Sequence, residues 1–206
     1  MTRVINHAGW VLLTIGALLI AVLSSRYFLL GAEVAAPPPL LAMVSGRTVT
    51  FLLHVGGGII ALAAGAWNFL EWSRVRYLNL HRWLGRIYLV SVLVGGLAGL
   101  SLATTAQGGL AGKFGFGMLA ILWIVTAVFA YRRIRQFDIE SHRRWMIRNY
   151  ALTFAAVTLR IWLPVLSVAG SDFRDSYPAV AWLCWVPNLI VAEWLASRQT
   201  PIAAAA

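Results

Sequence analysis

Residues 142–168 read HRRWMIRNYALTFAAVTLRIWLPVLSV, and this stretch decides the architecture. From Met146 to Val168 it stays apolar long enough, at 1.5 Å per helical residue, to cross roughly 30 Å of hydrocarbon. It opens on Arg143, Arg144 and Arg148, a basic cluster of the kind that holds one side of a bilayer. Working outward, apolar runs bounded by charge, Gly or Pro recur near 9–30, 48–70, 86–106, 114–131, 146–168 and 178–196. The expected fold is therefore all-α, a polytopic transmembrane helical bundle of about six helices, with residues 1–206 forming a single integral membrane domain.

Composition agrees with this reading. The chain is 60% hydrophobic and only 12% charged, with a mean hydropathy of +0.77, outside the range of soluble domains. A formal net charge of +10 on its own would suit nucleic acid. The arginines, however, gather in short connections between apolar runs, so the expected partner is the lipid bilayer and not nucleic acid. Segment 71–86 carries Arg74, Arg76, Arg82 and Arg86, and segment 131–148 carries Arg132, Arg133, Arg135, Arg143, Arg144 and Arg148. The opposite side keeps Arg26, Arg47, Lys113 and Arg174, and this asymmetry predicts that both basic connections and both termini are cytoplasmic in a bacterial inner membrane.

Several features narrow the chemistry. The apolar run after Met1-Thr2-Arg3 lacks a convincing cleavage site and reads as a retained first helix, while Ala35-Ala36-Pro37-Pro38-Pro39 reads as a loop. Cys184 is the only cysteine, which excludes an internal disulfide framework. Neither a glycine-rich phosphate loop, an H-E-x-x-H, a nucleophile elbow nor a pair of catalytic carboxylates occurs, so soluble-enzyme chemistry is disfavoured and no reaction is assigned.

Function is sought among polar residues inside apolar runs, because lipid makes them costly. In the opening stretch His142, Asn149, Thr153 and Arg160 stand at offsets 0, 7, 11 and 18, one face of a helix. Arg160 costs at least about 2.5 kcal/mol if left in hydrocarbon, so it faces protein, water or a bound anion, or caps carbonyls near Pro164. His54 precedes Gly57, Gly58, Ala61 and Gly65 on its own face, a groove for a flat ligand or another helix. Counting from the span ends puts His54 and Arg160 at similar depth, a pairing that suits an anionic cofactor or substrate.

A second constellation lies at the basic connections. His81-Arg82-Trp83-Leu84-Gly85-Arg86-Ile87-Tyr88 is echoed, with one residue inserted, by His142-Arg143-Arg144-Trp145-Met146-Ile147-Arg148-Asn149-Tyr150. The echo predicts related hairpins with both histidines at one interface. His81 and His142 are candidate axial ligands to haem iron, with Arg82, Arg86 and Arg143 as propionate partners; in such basic loops imidazoles equally bind lipid phosphate. In the third span His81, Tyr88, Gly95 and Gly99 share a face, and close helix packing accounts for the glycines. Trp10, Trp67, Trp72, Trp83, Trp145 and Trp194 sit near span ends as an aromatic belt, Glu193 is placed to pair with a loop arginine, and Pro187-Asn188 marks a kink.

The segments H-V-G-G-G (54–58), H-R-W-L-G-R-I-Y (81–88) and H-R-R-W-M-I-R-N-Y-A-L-T-F-A-A-V-T-L-R (142–160) together resemble a bacterial family of predicted membrane proteins, domain-of-unknown-function family 2306. The resemblance runs from about the second span to the end of the fifth. It implies a membrane bundle and points to His54, His81, His142 and Arg160 without supplying a reaction. A looser architectural likeness joins the chain to membrane b-type cytochromes.

Three functional expectations follow. The first is a small membrane redox protein holding haem b or a quinone between helices, with histidines as ligands and arginines as anion clamps. The second is a transporter or binding protein for a small anion or lipid headgroup along the polar stripe. The third is an accessory subunit that docks its glycine faces onto a larger membrane complex.

Overall fold

The computed structural model describes residues 7–198, with the side chains of His7, Ala42, Met43 and residues 71–73 left aside. Arg3 and the side chain of Trp72 thus lie outside the described residues. The described chain is helical, in the order α1 (His7–Leu29), α2 (Ala32–Ala35), α3 (Pro38–Val44), α4 (Thr48–Asn68), α5 (Glu71–Arg76), α6 (Leu78–Ala103), α7 (Gly109–Arg135), α8 (Ile139–Thr153), α9 (Ala155–Val168), α10 (Phe173–Leu183) and α11 (Val186–Ser197). Six helical segments are long and apolar enough to cross a membrane: Ala8–Leu29, Thr48–Asn68, Leu78–Ala103, Gly109–Arg135, Ile139–Val168 and Phe173–Ser197. The first four are α1, α4, α6 and α7; the fifth joins α8 to α9 and the sixth joins α10 to α11.

The expected spans are thus present, but three of their boundaries move into the basic segments. Residues read as loop, including His81, Arg82, Arg86, Arg132, Arg133, Arg135, His142, Arg143 and Arg144, are helical. Arginine is a good helix former and extends its charged tip beyond the apolar surface, so a helix need not stop where hydropathy does. The turn between α7 and α8 is tight: Phe137 takes φ 60 and the Asp138 carboxylate caps α8 by accepting from the Ser141 backbone N–H at 3.0 Å. Those bonds hold the Asp138 carboxyl below its usual range, with Arg133 adding to the effect. The triple proline also corrects the loop expectation, since Pro37 is the N-cap and Pro38 and Pro39 form the first turn of α3. A first helical turn needs no N–H donors, and proline's fixed φ suits it.

Two hairpins, α4–α6 and α7–α8, carry the most extensive packing. Gly57 and Gly95 let α4 and α6 touch: a Cβ on Gly57 would stand 2.8 Å from the Gly95 Cα and 2.6 Å from the Ser91 carbonyl oxygen. These glycines are consumed inside the hairpin, so they are not a free docking face. α1 packs on α4, and Arg47 ties the start of α4 to the end of α6 by donating to the Ser101 carbonyl at 2.9 Å.

The last two spans are each broken, and in the sixth the reason is visible in the chain. Pro187 has no N–H for the Leu183 carbonyl, and helix α10 ends at that residue. Asn188 repairs the break by donating to the carbonyls of Cys184 at 2.9 Å and Ala151 at 3.2 Å, and Thr158 also donates to Cys184 O. The expected kink at Pro187-Asn188 is therefore a helix break. Glu193 makes the expected pair, accepting from Arg148 at 2.6 and 2.7 Å.

Candidate functional site

The polar stripe of the fifth span divides into two clusters with different neighbours. In the first, the Asn149 amide is fully buried and its NH2 donates to the Trp123 carbonyl and the Thr126 hydroxyl, both at 2.7 Å. Its carbonyl accepts from the Tyr88 hydroxyl at 2.6 Å. Tyr88 also meets the Thr153 hydroxyl at 2.8 Å, and Thr153 receives the Trp123 indole N–H at 2.8 Å while donating to the backbone carbonyl of Asn149. Every side-chain amide, hydroxyl and indole group of the knot has a partner, which is how buried polar groups are tolerated in a membrane.

The second cluster lies toward the end of the bundle opposite the basic turns. There α1, α4, α6, α7, α8, α9 and α10 enclose a partly open, mostly apolar cavity of about 230 Å³. Its polar lining includes His54, Arg160, Ser24 and Thr153. His54 and Arg160 stand about 9 and 12 Å from their span ends, at 1.5 Å per residue, so the expected common depth is present. Both side chains line the same cavity.

His54 is fixed by α6. Its Nδ1 lies 2.8 Å from the Gly95 carbonyl, which can only accept, so in the neutral ring Nδ1 carries the proton and Nε2 is a bare acceptor. The ring occupies the space a side chain at Gly99 would fill, since a Cβ there would stand 2.8 Å from Nδ1. The two glycines of the G-x-x-x-G thus do different work: Gly95 packs against a helix and Gly99 seats an imidazole.

Arg160 donates to the Ala156 carbonyl at 2.8 Å and to the Ser24 hydroxyl at 3.0 Å. The acceptor is one turn N-terminal to it, and not the Arg160 carbonyl that Pro164 releases. The three ion pairs formed among the described residues are Arg133–Asp138, Arg144–Glu140 and Arg148–Glu193, so Arg160 has no carboxylate partner among them. A mostly buried guanidinium held by neutral acceptors retains its charge and spare donors for a ligand.

The histidines of the basic end also come together. His81 and His142 stand three residues from the starts of α6 and α8, and each lies within electrostatic reach of Arg74; His81 also feels His142 and Arg82. The His142 Nδ1 meets the Ala130 carbonyl at 2.8 Å, whereas the buried His81 Nδ1 has no partner. Equivalent positions of the sequence echo are therefore brought together twice, His81 with His142 and Tyr88 with Tyr150, whose ring centroids lie 6.5 Å apart. Of the proposed propionate partners, Arg82 is exposed, Arg86 is exposed and stacks on Trp83 at 4.9 Å, and Arg143 is half-buried. No group of three or more His, Cys, Asp or Glu able to hold a metal ion occurs among the described residues.

Sequence reading missed Ser24, Trp123 and Asn68. Ser24 shares a face with Ala17, Ile20 and Ala21, a weak periodic signal in a uniformly apolar helix. Trp123 stood apart from the belt by its mid-span position, where an indole N–H must find an acceptor. Asn68, at the end of α4, is 6% exposed, and both polar atoms of its amide lack a partner.

These three histidines, with their neighbours, lie in the region from Phe51 to Ala196 that matches the family model described as predicted membrane protein, DUF2306. The chain belongs to this family. The match extends the resemblance through the sixth span. No curated protein and no solved structure matches the chain.

Proposed function

We propose that this DUF2306 protein is a small membrane redox component that binds a quinone in the His54–Arg160 cavity. The observation that carries the reading is a bare imidazole acceptor and an uncompensated guanidinium lining one apolar space. A quinone carbonyl accepts from Arg160, and a hydroquinone hydroxyl donates to His54 Nε2, so the same two side chains hold both redox states. Apolar walls suit the ring and the isoprenoid tail, which reaches the site from the bilayer.

Haem b is the weaker fit to this cavity. His54 is the one histidine among its lining residues, which leaves no second axial imidazole. A second reading rests on the missing carboxylate partner of Arg160: a lipid carboxylate or other amphipathic anion would satisfy the same guanidinium. We further place the chain in a bacterial inner membrane with the basic turns and both termini cytoplasmic, as the arginine asymmetry argues.

The test is extraction of purified wild-type, His54→Gln and Arg160→Gln protein, with quinone, fatty acid and haem quantified on each sample and a reduced-minus-oxidised spectrum recorded. Near-stoichiometric quinone in the wild type, lost from folded variants, is expected. Fatty acid in its place supports the second reading, and a ligand-free wild type that also fails to bind added short-tail quinone removes both.

A further inference from the structure

We propose a second binding site at the basic end of the bundle, formed by Asn68, His81 and the arginines around them, for a phosphate oxyanion. It does not depend on the reading of the cavity.

The site is built from groups that the fold buries without satisfying. The Asn68 amide leaves both Nδ2 and Oδ1 without partners, although its residue is 6% exposed, and the buried His81 Nδ1 is likewise unpartnered. Asn68 Nδ2 lies 4.0 Å from the point a Cβ on Gly85 would occupy, no atom of another helix comes closer to that point, and His81 is one turn from Gly85 on the same face of α6. Gly85 therefore leaves open space beside an amide that needs a partner, one turn along α6 from an imidazole nitrogen that also needs one.

Charge selects the ligand. Arg74, Arg82 and His142 are the groups that act electrostatically on His81, and Arg74 acts on His142 as well. Among the described carboxylates, those of Asp138, Glu140 and Glu193 are engaged by Arg133, Arg144 and Arg148. A cation would meet this field unfavourably, whereas an oxyanion accepts from Asn68 Nδ2 and from a proton on His81 Nδ1. Asn68 Oδ1 still needs a donor, which a P–OH of inorganic phosphate or a headgroup hydroxyl of phosphatidylglycerol supplies. Depth agrees with both sources, since Asn68 ends one span and His81 lies in the first turn of the next, at the level where headgroups meet a basic face.

Delipidated full-length protein in non-ionic detergent is titrated with inorganic phosphate and, separately, with phosphatidylglycerol against phosphatidylcholine, following the thermal midpoint. A saturable rise with phosphate assigns the free anion, and a rise with phosphatidylglycerol but not phosphatidylcholine assigns the headgroup; either supports the site. Asn68→Leu, which removes the unpartnered amide, and Gly85→Leu, which fills the space beside it, are expected to weaken that response at least tenfold while helical content is kept. No response to either probe, or an equal response in wild type and the folded variants, overturns the proposal. If one variant fails to fold, the other decides.

Discussion

Asn149 and Arg160 sit three turns apart on one membrane-spanning segment, both polar and both mostly buried, yet their surroundings are opposite. Asn149 is saturated by Trp123, Thr126 and Tyr88 in a closed knot. Arg160 is held by one carbonyl and one hydroxyl beside a cavity, with its charge uncompensated by any described carboxylate. Saturation is the mark of a group that joins helices, because a hydrogen bond already made within the protein is not available to a ligand. Incomplete partnering beside open space is the mark of a group that awaits one. The same criterion separates the packed Gly57–Gly95 contact from the Asn68–His81 site.

The comparison breaks if the two clusters respond alike to substitution. Asn149→Leu removes three hydrogen bonds and strands buried partners, for an expected loss of about 2–3 kcal/mol, read as a lower unfolding midpoint in detergent. Recovery of normal stability in that variant would show that the knot contributes little. Gly57→Ala pushes a methyl into the Gly95 backbone and the Ser91 carbonyl, and overpacking of this kind costs about 1–3 kcal/mol, measured in the same assay.

Smaller effects sharpen the contrast. Asp138→Ala removes the α8 cap and lowers the midpoint less than either change above. Because the folded carboxyl is held below its usual range, its contribution is complete above the ordinary carboxylate range and is lost as pH falls through the lower folded value. The wild-type midpoint should therefore fall in that acid range by more than the Asp138→Ala midpoint. Arg160→Gln, which removes the charge and keeps a polar side chain, is expected to lower the midpoint less than Asn149→Leu does while reducing ligand retention at least tenfold. A variant that unfolds instead would make Arg160 a structural residue.

Much of the candidate site was legible along the chain. His54 and Arg160 emerged from depth counting on their own spans, and the facing of His81 with His142 from the repeated motif. What one helix could not disclose was which partners its polar face would meet. Asn149 and Thr153 look like members of a conduit when only the stripe is read, but Trp123 and Tyr88, from other helices, close them into a knot. Ser24 carried only a weak periodic signal and Asn68 none, because a small polar residue in an apolar run is unremarkable until its neighbours are known.

Sequence by itself determined the membrane setting, the six spans and the clustering of arginine at alternate turns, since these follow from local apolar length and charge. It also marked a disruption at Pro187, because proline's missing N–H is a property of the residue, but not the break at Phe154, where no proline stands. Tertiary structure alone decided which polar groups are saturated and which are left open. Hydrogen-bond partnership is short-ranged and lies between helices distant in the chain, so it exists only once the bundle has packed.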